Sequence, residues 1–164
     1  MQRTDFGEMA CSIARTLEIA GEPWSPLILR DVFVGIRRFD ALRQELGISK
    51  KVLAERLGWL VEQGVLERRA YSTRPPRDEY HLTEKGWELC DVLLAITAWG
   101  DRWTAGDQGP PVLLLHHGCG KHTHAEIRCA ECGEPLHAHE VTVEPGPGQG
   151  AAVQHHEHVE EAAR

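Results

Sequence analysis

The stretch RRFDALRQELGISKKVLAERLGWLVEQGVLERRAYSTRPPRDEYHLT, residues 37–83, decides the fold. Phe39, Leu42 and Leu46 recur at the three- and four-residue spacing of a buried helical stripe, which predicts a helix over 39–46. Gly47 suits the left-handed residue that ends a helix, and Ser49 suits the cap of the next one. That second helix is expected over 50–63, with Leu53, Leu57, Leu60 and Val61 on one face and Lys51, Val52, Glu55 and Trp59 on the other. Gly64 ends it. VLERRAY and RDEYHL then read as two short strands joined at Ser72–Pro76, where the two prolines are expected to keep the ladder from extending. Helix, glycine turn, capped helix and an arginine-tipped hairpin spell a winged helix-turn-helix, mainly α with a small β wing. That shape places its second helix in the DNA major groove.

The flanks extend this unit. Residues 9–20 place Ile13, Leu17 and Ala20 on one helical face, and Gly21 stops that helix. Pro23 stands in the first turn of the next segment, 23–34, where its missing N–H does no harm. Apart from Arg30 and Asp31 that segment is nearly all apolar, as expected of a central core helix, and Gly35 ends it. Thr83 is the expected cap of a last long helix reaching about Thr104. It carries two apolar lines, Leu89, Leu93, Ile96 and Val92, Ile96, Trp99, Trp103. One line covers the core. The other needs a second partner, the same helix of another subunit, unless a wide core face within one chain absorbs it. Residues 1–104 are thus the expected DNA-binding and dimerisation domain, 105–111 a Gly/Pro linker, 112–143 a second small unit, and 144–164 a disordered tail rich in Gly, Pro and charge.

The net charge of −7 argues against a nucleic-acid partner only while the chain is taken whole. Residues 37–80 hold ten Lys/Arg against seven Asp/Glu, a balance of +3, whereas residues 100–164 hold four against ten, a balance of −6. No run of 18 apolar residues exists and the N-terminus does not read as a signal peptide, so a soluble, cytoplasmic protein without membrane contact is expected. Five cysteines fit a closed disulfide framework poorly.

A winged helix reads DNA with the N-terminal part of its second helix while cations on either side hold phosphates. Ser49, Lys51, Val52 and Glu55 are the candidates for base edges, since Lys donates to guanine, Glu accepts from cytosine and Val meets a thymine methyl. Arg37, Arg38, Lys50 and Arg56 are the phosphate candidates, and Arg74 and Arg77 at the wing tip suit backbone or minor-groove contact. For any one of these, simple solvation is the competing account. The ensemble falls where the motif requires it. Trp59 is expected to pack rather than touch DNA.

At this point the chain resembles the HxlR-type winged helix regulators over residues 11–104. The resemblance rests on Cys11 with Ile13-Ala14, Gly21, Trp24, LILRD at 27–31, Arg38-Phe39 and Leu42. It continues through Ile48-Ser49, Leu53, Arg56-Leu57, Leu60, EQGVLERRAY at 62–71, Pro75-Pro76, Tyr80, Leu82-Thr83, Gly86 and Trp99-Gly100. It implies a homodimeric transcriptional regulator, by analogy a repressor with an activator as the alternative, and with the dimer built by the first and last helices. The family usually has Cys-Pro where this chain has Cys11-Ser12, and often Gly-Lys-Trp where it has Glu22-Pro23-Trp24. Cys11 stands at or near a helix N-terminus, a setting that favours the reactive thiolate. Some members of the family sense oxidants, aldehydes or quinones through such a thiol, so Cys11 is a candidate sensor; the alternative is a small packing residue. Cys90, on the apolar face of the last helix, reads as core.

Residues 116–133, HHGCGKHTHAEIRCAECG, contain two similar knuckles, His116-x-x-Cys119-Gly and Cys129-x-x-Cys132-Gly. Paired ligands three apart on glycine turns are the pattern of a structural zinc ion, so His116, Cys119, Cys129 and Cys132 form a candidate Cys₃His set in a zinc-ribbon-like hairpin. His117, His122, His124, His137 and His139 compete as the fourth ligand, and knuckles without metal are the alternative. His155, His156 and His158 in the tail are expected to be solvated. Neither HExxH nor a deaminase-type zinc pattern occurs, so no enzyme is expected. The remaining rival is an interaction adaptor that uses the winged helix and the ribbon without reading DNA.

Overall fold

The computed structural model describes Phe6, residues 9–74 and residues 76–148. Helices α1 (Ser12–Ala20), α2 (Trp24–Phe33), α3 (Phe39–Leu46) and α4 (Lys50–Glu62) precede strands β1 (Leu66–Thr73) and β2 (Pro76–Leu82). The long helix α5 (Glu84–Thr104) follows, then a second hairpin of β3 (Leu114–His116) and β4 (Lys121–Thr123). The tail histidines His155, His156 and His158, and Pro75 at the wing tip, lie outside the described residues. Among the described residues no helix is long and apolar enough to cross a membrane.

The core is one cluster built around α2 and α4. Ile28, Leu29 and Val32 of α2 meet Leu53, Leu57 and Leu60 of α4, with Leu42, Val65, Leu66 and Cys90 closing the space. Leu53, Leu57 and Leu60 stand at i, i+4 and i+7, the spacing that puts three side chains on one helical face. Burying each contributes roughly 1.5–3 kcal/mol over leaving it in water. Gly47, in the left-handed conformation (φ 64°), turns the chain between α3 and α4. Ser49 then caps α4, its Oγ accepting from the Val52 amide at 3.2 Å. Asp31 is buried in α2, where one carboxylate oxygen accepts from Arg30 at 2.8 Å and, among the described residues, the other has no hydrogen-bond partner.

The wing differs from its expected form. The ladder of β1 and β2 runs to Thr73 opposite Pro76, so the prolines do not end it. Pro76 opens β2 as its first residue, a position where no ladder donor is lost. The extra length is accommodated by a bulge at Tyr71, between the pairs Ala70↔Asp78 and Ser72↔Arg77. A third segment also joins the sheet. Arg38 bridges to Glu79, and the Tyr80 amide donates to the Arg37 carbonyl at 2.9 Å. The chain leading into α3 is therefore tied to the wing by backbone pairing.

One junction sets α5 against the reader. The Thr83 hydroxyl donates to the carbonyls of Gly64 (2.7 Å) and Val65 (3.2 Å) and accepts from the Gly86 amide (3.1 Å). The Thr83 amide donates to Val65 as well. The start of α5 thus lies directly on the turn between α4 and β1, with Phe33 and Trp87 packed edge to face at 5.7 Å beside it.

This packing predicts opposite effects for two glycines. A Cβ at Gly86 would run into the Val65 carbonyl oxygen, which its hydrogen bonds hold in place, so Gly86→Ala is expected to destabilise by about 1–3 kcal/mol. Gly58, inside α4, has open space around its missing Cβ, so Gly58→Ala is expected to stabilise by about 0.5–1 kcal/mol. Urea denaturation of both variants reads the two signs.

Candidate nucleic-acid interface and the Cys/His unit

The buried stripe of α4 dictates which residues its first turns offer to solvent. Ser49, Lys50, Lys51 and Glu55 are exposed at that end. Arg74 and Arg77 are exposed at the wing tip, and Arg37 is exposed ahead of α3. Among the described residues, Arg37, Lys50, Lys51, Arg74 and Arg77 engage no carboxylate. They form a cationic surface on the capped end of α4 and the hairpin.

Three expected site residues are placed differently. Val52 is half-buried and packs on the core, because at 100° per residue it lies between the outward line and the leucine stripe. Arg56 has a side chain only 19% exposed; its Nη2 donates to Glu55 Oε1 at 3.1 Å. Its Nε lies 3.4 Å from Glu22 Oε2, near enough for an ion pair but not aligned as a hydrogen bond. Glu22 also accepts from the Trp24 amide at 3.1 Å, so this carboxylate caps α2 and holds α4 at once. Arg38 is held by the wing: its Nε donates to Glu79 Oε1 at 2.9 Å, and its guanidinium lies over the Tyr71 ring at 4.5 Å. That hydrogen bond, with the added attraction of the charge, raises Arg38 above its ordinary value and holds Glu79 below the usual carboxylate range. His81 adds a weaker contact at 3.5 Å to the same carboxylate. Glu22 and Glu79 were not foreseen as site residues. Their partners lie 34 and 41 positions away, beyond any local periodicity.

Ile13 (72% exposed) and Leu17 on α1, and Val92, Ile96 (58%), Trp99 (63%) and Trp103 (66%) on α5, are uncovered. Cys11 is the N-cap residue of α1, half-buried, with a free thiol. Cys90 is buried, and burial pushes its thiol up. Beyond α5 the expected linker contains a 3₁₀ turn, Gly106–Gln108. The C-terminal unit forms both predicted turns: His116 Nδ1 lies 3.3 Å from Cys119 Sγ, and the turn holding the free thiols Cys129 and Cys132 is closed by the Gly133 amide, which donates to the Cys129 carbonyl at 2.9 Å. Backbone N–H groups of Cys132 and Glu131, aided by the Cys132 side chain, hold the Cys129 thiol below its ordinary value. Among the described residues, no three His, Cys, Asp or Glu side chains converge as a metal cage would require. The expected four-ligand set therefore stands as two separate pairs.

Comparison with known proteins identifies the winged helix-turn-helix. Residues 19–108 match the model of the HxlR-like helix-turn-helix. The chain is 46% identical over 137 residues to the HTH-type transcriptional regulator Rv3095 of Mycobacterium tuberculosis, covering 84% of this chain and 87% of that one. The crystal structure of PA1607 superposes with a TM-score of 0.77 at 35% identity, covering 87% of this chain and all of that one. The redox regulator HypR in its reduced form superposes with a TM-score of 0.53 at 29% identity, over 56% of this chain and 92% of that one. The family model ends before the Cys/His unit begins, whereas the longer matches extend into it.

The ion pair between β2 and the segment before α3 makes a pH prediction. Glu79 is depressed in the folded state, so its contribution is fully present at neutral pH and is lost as pH falls through its folded value. In Glu79→Gln that part of the acid sensitivity should disappear from the denaturation midpoints. Exchange of the Tyr80 amide, which donates to Arg37, should quicken at neutral pH.

Proposed function

The chain belongs to the HxlR-like helix-turn-helix family, and from that premise we propose a sequence-specific, homodimeric transcriptional repressor that binds an inverted-repeat operator. The family is one of DNA-binding regulators and not of enzymes. The observation that carries the reading is the capped end of α4. Ser49, Lys50 and Lys51 are exposed there, while the opposite face of the same helix is locked into the core. Lys51 and Glu55 face base edges in this reading, and Lys50, Arg37, Arg74 and Arg77 hold phosphates. Ser49 serves first as the cap. Arg38 and Arg56 act mainly by fixing the wing and α4, through Glu79 and Glu22.

The uncovered apolar side chains of α1 and α5 support a dimer of residues 1–104. A monomer that left Trp99 and Trp103 in water would expose a patch that soluble proteins ordinarily cover. Cys11, at the start of α1, would then report thiol chemistry to that interface. Covalent modification at the N-cap changes the packing of α1, and with it the spacing of the two readers.

Fluorescence anisotropy against duplex DNA from upstream of its own gene, and against random duplex, tests the reading across a range of salt. Lys51→Ala should cost about 1–3 kcal/mol on the specific duplex and little on the random one. Arg74→Ala should weaken both alike and lower the salt slope by about one. Ile96→Glu should give monomers in solution and lose the tight complex. Cys11→Ser should keep DNA binding but no longer respond to diamide. Salt-independent binding by the unaltered protein, or equal affinity for both duplexes, would contradict the proposal.

A further inference from the structure

The C-terminal unit lacks what holds the winged helix together. Across residues 112–148 no side chain is buried, and only Leu114, Ala125 and Cys129 are even half-covered. Its one ladder, β3 with β4, has three residues in each strand. Apolar burial cannot fix so small a unit, and units of this size are usually stapled by a metal or a disulfide. Its three cysteines are free thiols.

What the unit does have is the same turn twice. Gly120 donates its amide to the His116 carbonyl at 2.8 Å, and Gly133 donates to the Cys129 carbonyl at 2.9 Å. Both glycines are left-handed, with φ of 67° and 76°. In each turn the first and fourth residues are the metal-binding types, so the chain folds back to bring those two side chains together. Gly118 lets the His116 ring lie across the first turn, since a Cβ there would sit 2.9 Å from the ring Cε1. The first pair also has the right spacing. Zinc distances of about 2.3 Å to sulfur and 2.0–2.1 Å to nitrogen, at a tetrahedral angle, separate the two donors by about 3.5 Å. His116 Nδ1 and Cys119 Sγ lie 3.3 Å apart.

We propose that His116, Cys119, Cys129 and Cys132 bind one structural Zn²⁺ that draws the two turns onto a single ion and staples the C-terminal unit. Three thiolates and an imidazole select zinc over the hard, oxygen-seeking cations. Each thiol releases its proton to solvent as it ligates. Four protein donors leave no open position, so the ion takes no part in catalysis. The proposal is independent of DNA reading, because the winged helix has its own core and cap.

Cobalt titration of the metal-free, full-length protein under argon tests it, in a form whose tail His155, His156 and His158 are replaced by Gln. One equivalent of Co²⁺ should give the intense visible bands of a tetrahedral site together with thiolate charge transfer, and one equivalent of Zn²⁺ should abolish both. Cys132→Ser should lower the charge-transfer intensity by about a third, as three thiolates become two. His116→Ala should keep the charge transfer but bind cobalt more weakly. Helical circular dichroism, unchanged in every variant, certifies that the winged helix is intact. A weak octahedral spectrum, bands indifferent to Cys119→Ser, or Cys129 and Cys132 recovered as a disulfide from protein kept under argon would overturn the proposal.

Discussion

The burial of Leu53, Leu57 and Leu60 fixes the azimuth of α4, and the rest of the structure depends on it. These side chains are fully enclosed against Ile28, Leu29, Val32 and Leu42. A helix pinned by three contacts on one face cannot roll, so the identities of its outward residues are set by the same choice. Lys51 and Glu55 face water because Leu53 and Leu57 do not. The Ser49 cap fixes where the helix begins, and Gly47 fixes how it leaves α3. The proposed DNA-reading surface is thereby placed on a rigid element.

Around this helix the polar side chains act as braces. Glu22 reaches α4 through Arg56, and Glu79 reaches the α3 entry through Arg38. Ion pairs open to solvent on at least one side add little stability, but each sets the angle of one element against another. The Thr83 hydroxyl does the same for α5, because it binds the turn that ends α4. The proposed dimer helix and the proposed reader are therefore joined through a few hydrogen bonds. A change in how two α5 helices meet would move the readers without any rearrangement of the core.

Much of this was legible in the sequence, for physical reasons. The α3 limits, Phe39–Leu46, follow from the stripe of Phe39, Leu42 and Leu46 and from Gly47. The caps Ser49 and Thr83 are readable because short hydroxyl side chains beside an apolar period satisfy free amides. Less legible were features set by contacts distant in sequence. The bulge at Tyr71 lengthens the wing beyond the point where Pro75 and Pro76 suggested it would stop. The pairing of Arg37 and Arg38 with β2, and the diversion of Arg56 to Glu22, depend on tertiary neighbours. Val52 lies near the boundary of two faces, where a helical wheel alone cannot decide burial. In the C-terminal unit the spacing foretold both turns, but no spacing rule states how two turns sit relative to each other.

In the proposed complex two copies of α4, carried by a dimer, enter successive major grooves of one duplex. Hydroxyl-radical footprinting of the DNA upstream of the gene tests it most directly. Two protected half-sites of inverted sequence are expected, their centres about 34 Å or a multiple of it apart along one face of the duplex. A single protected half-site, or uniform protection without helical periodicity, would contradict it.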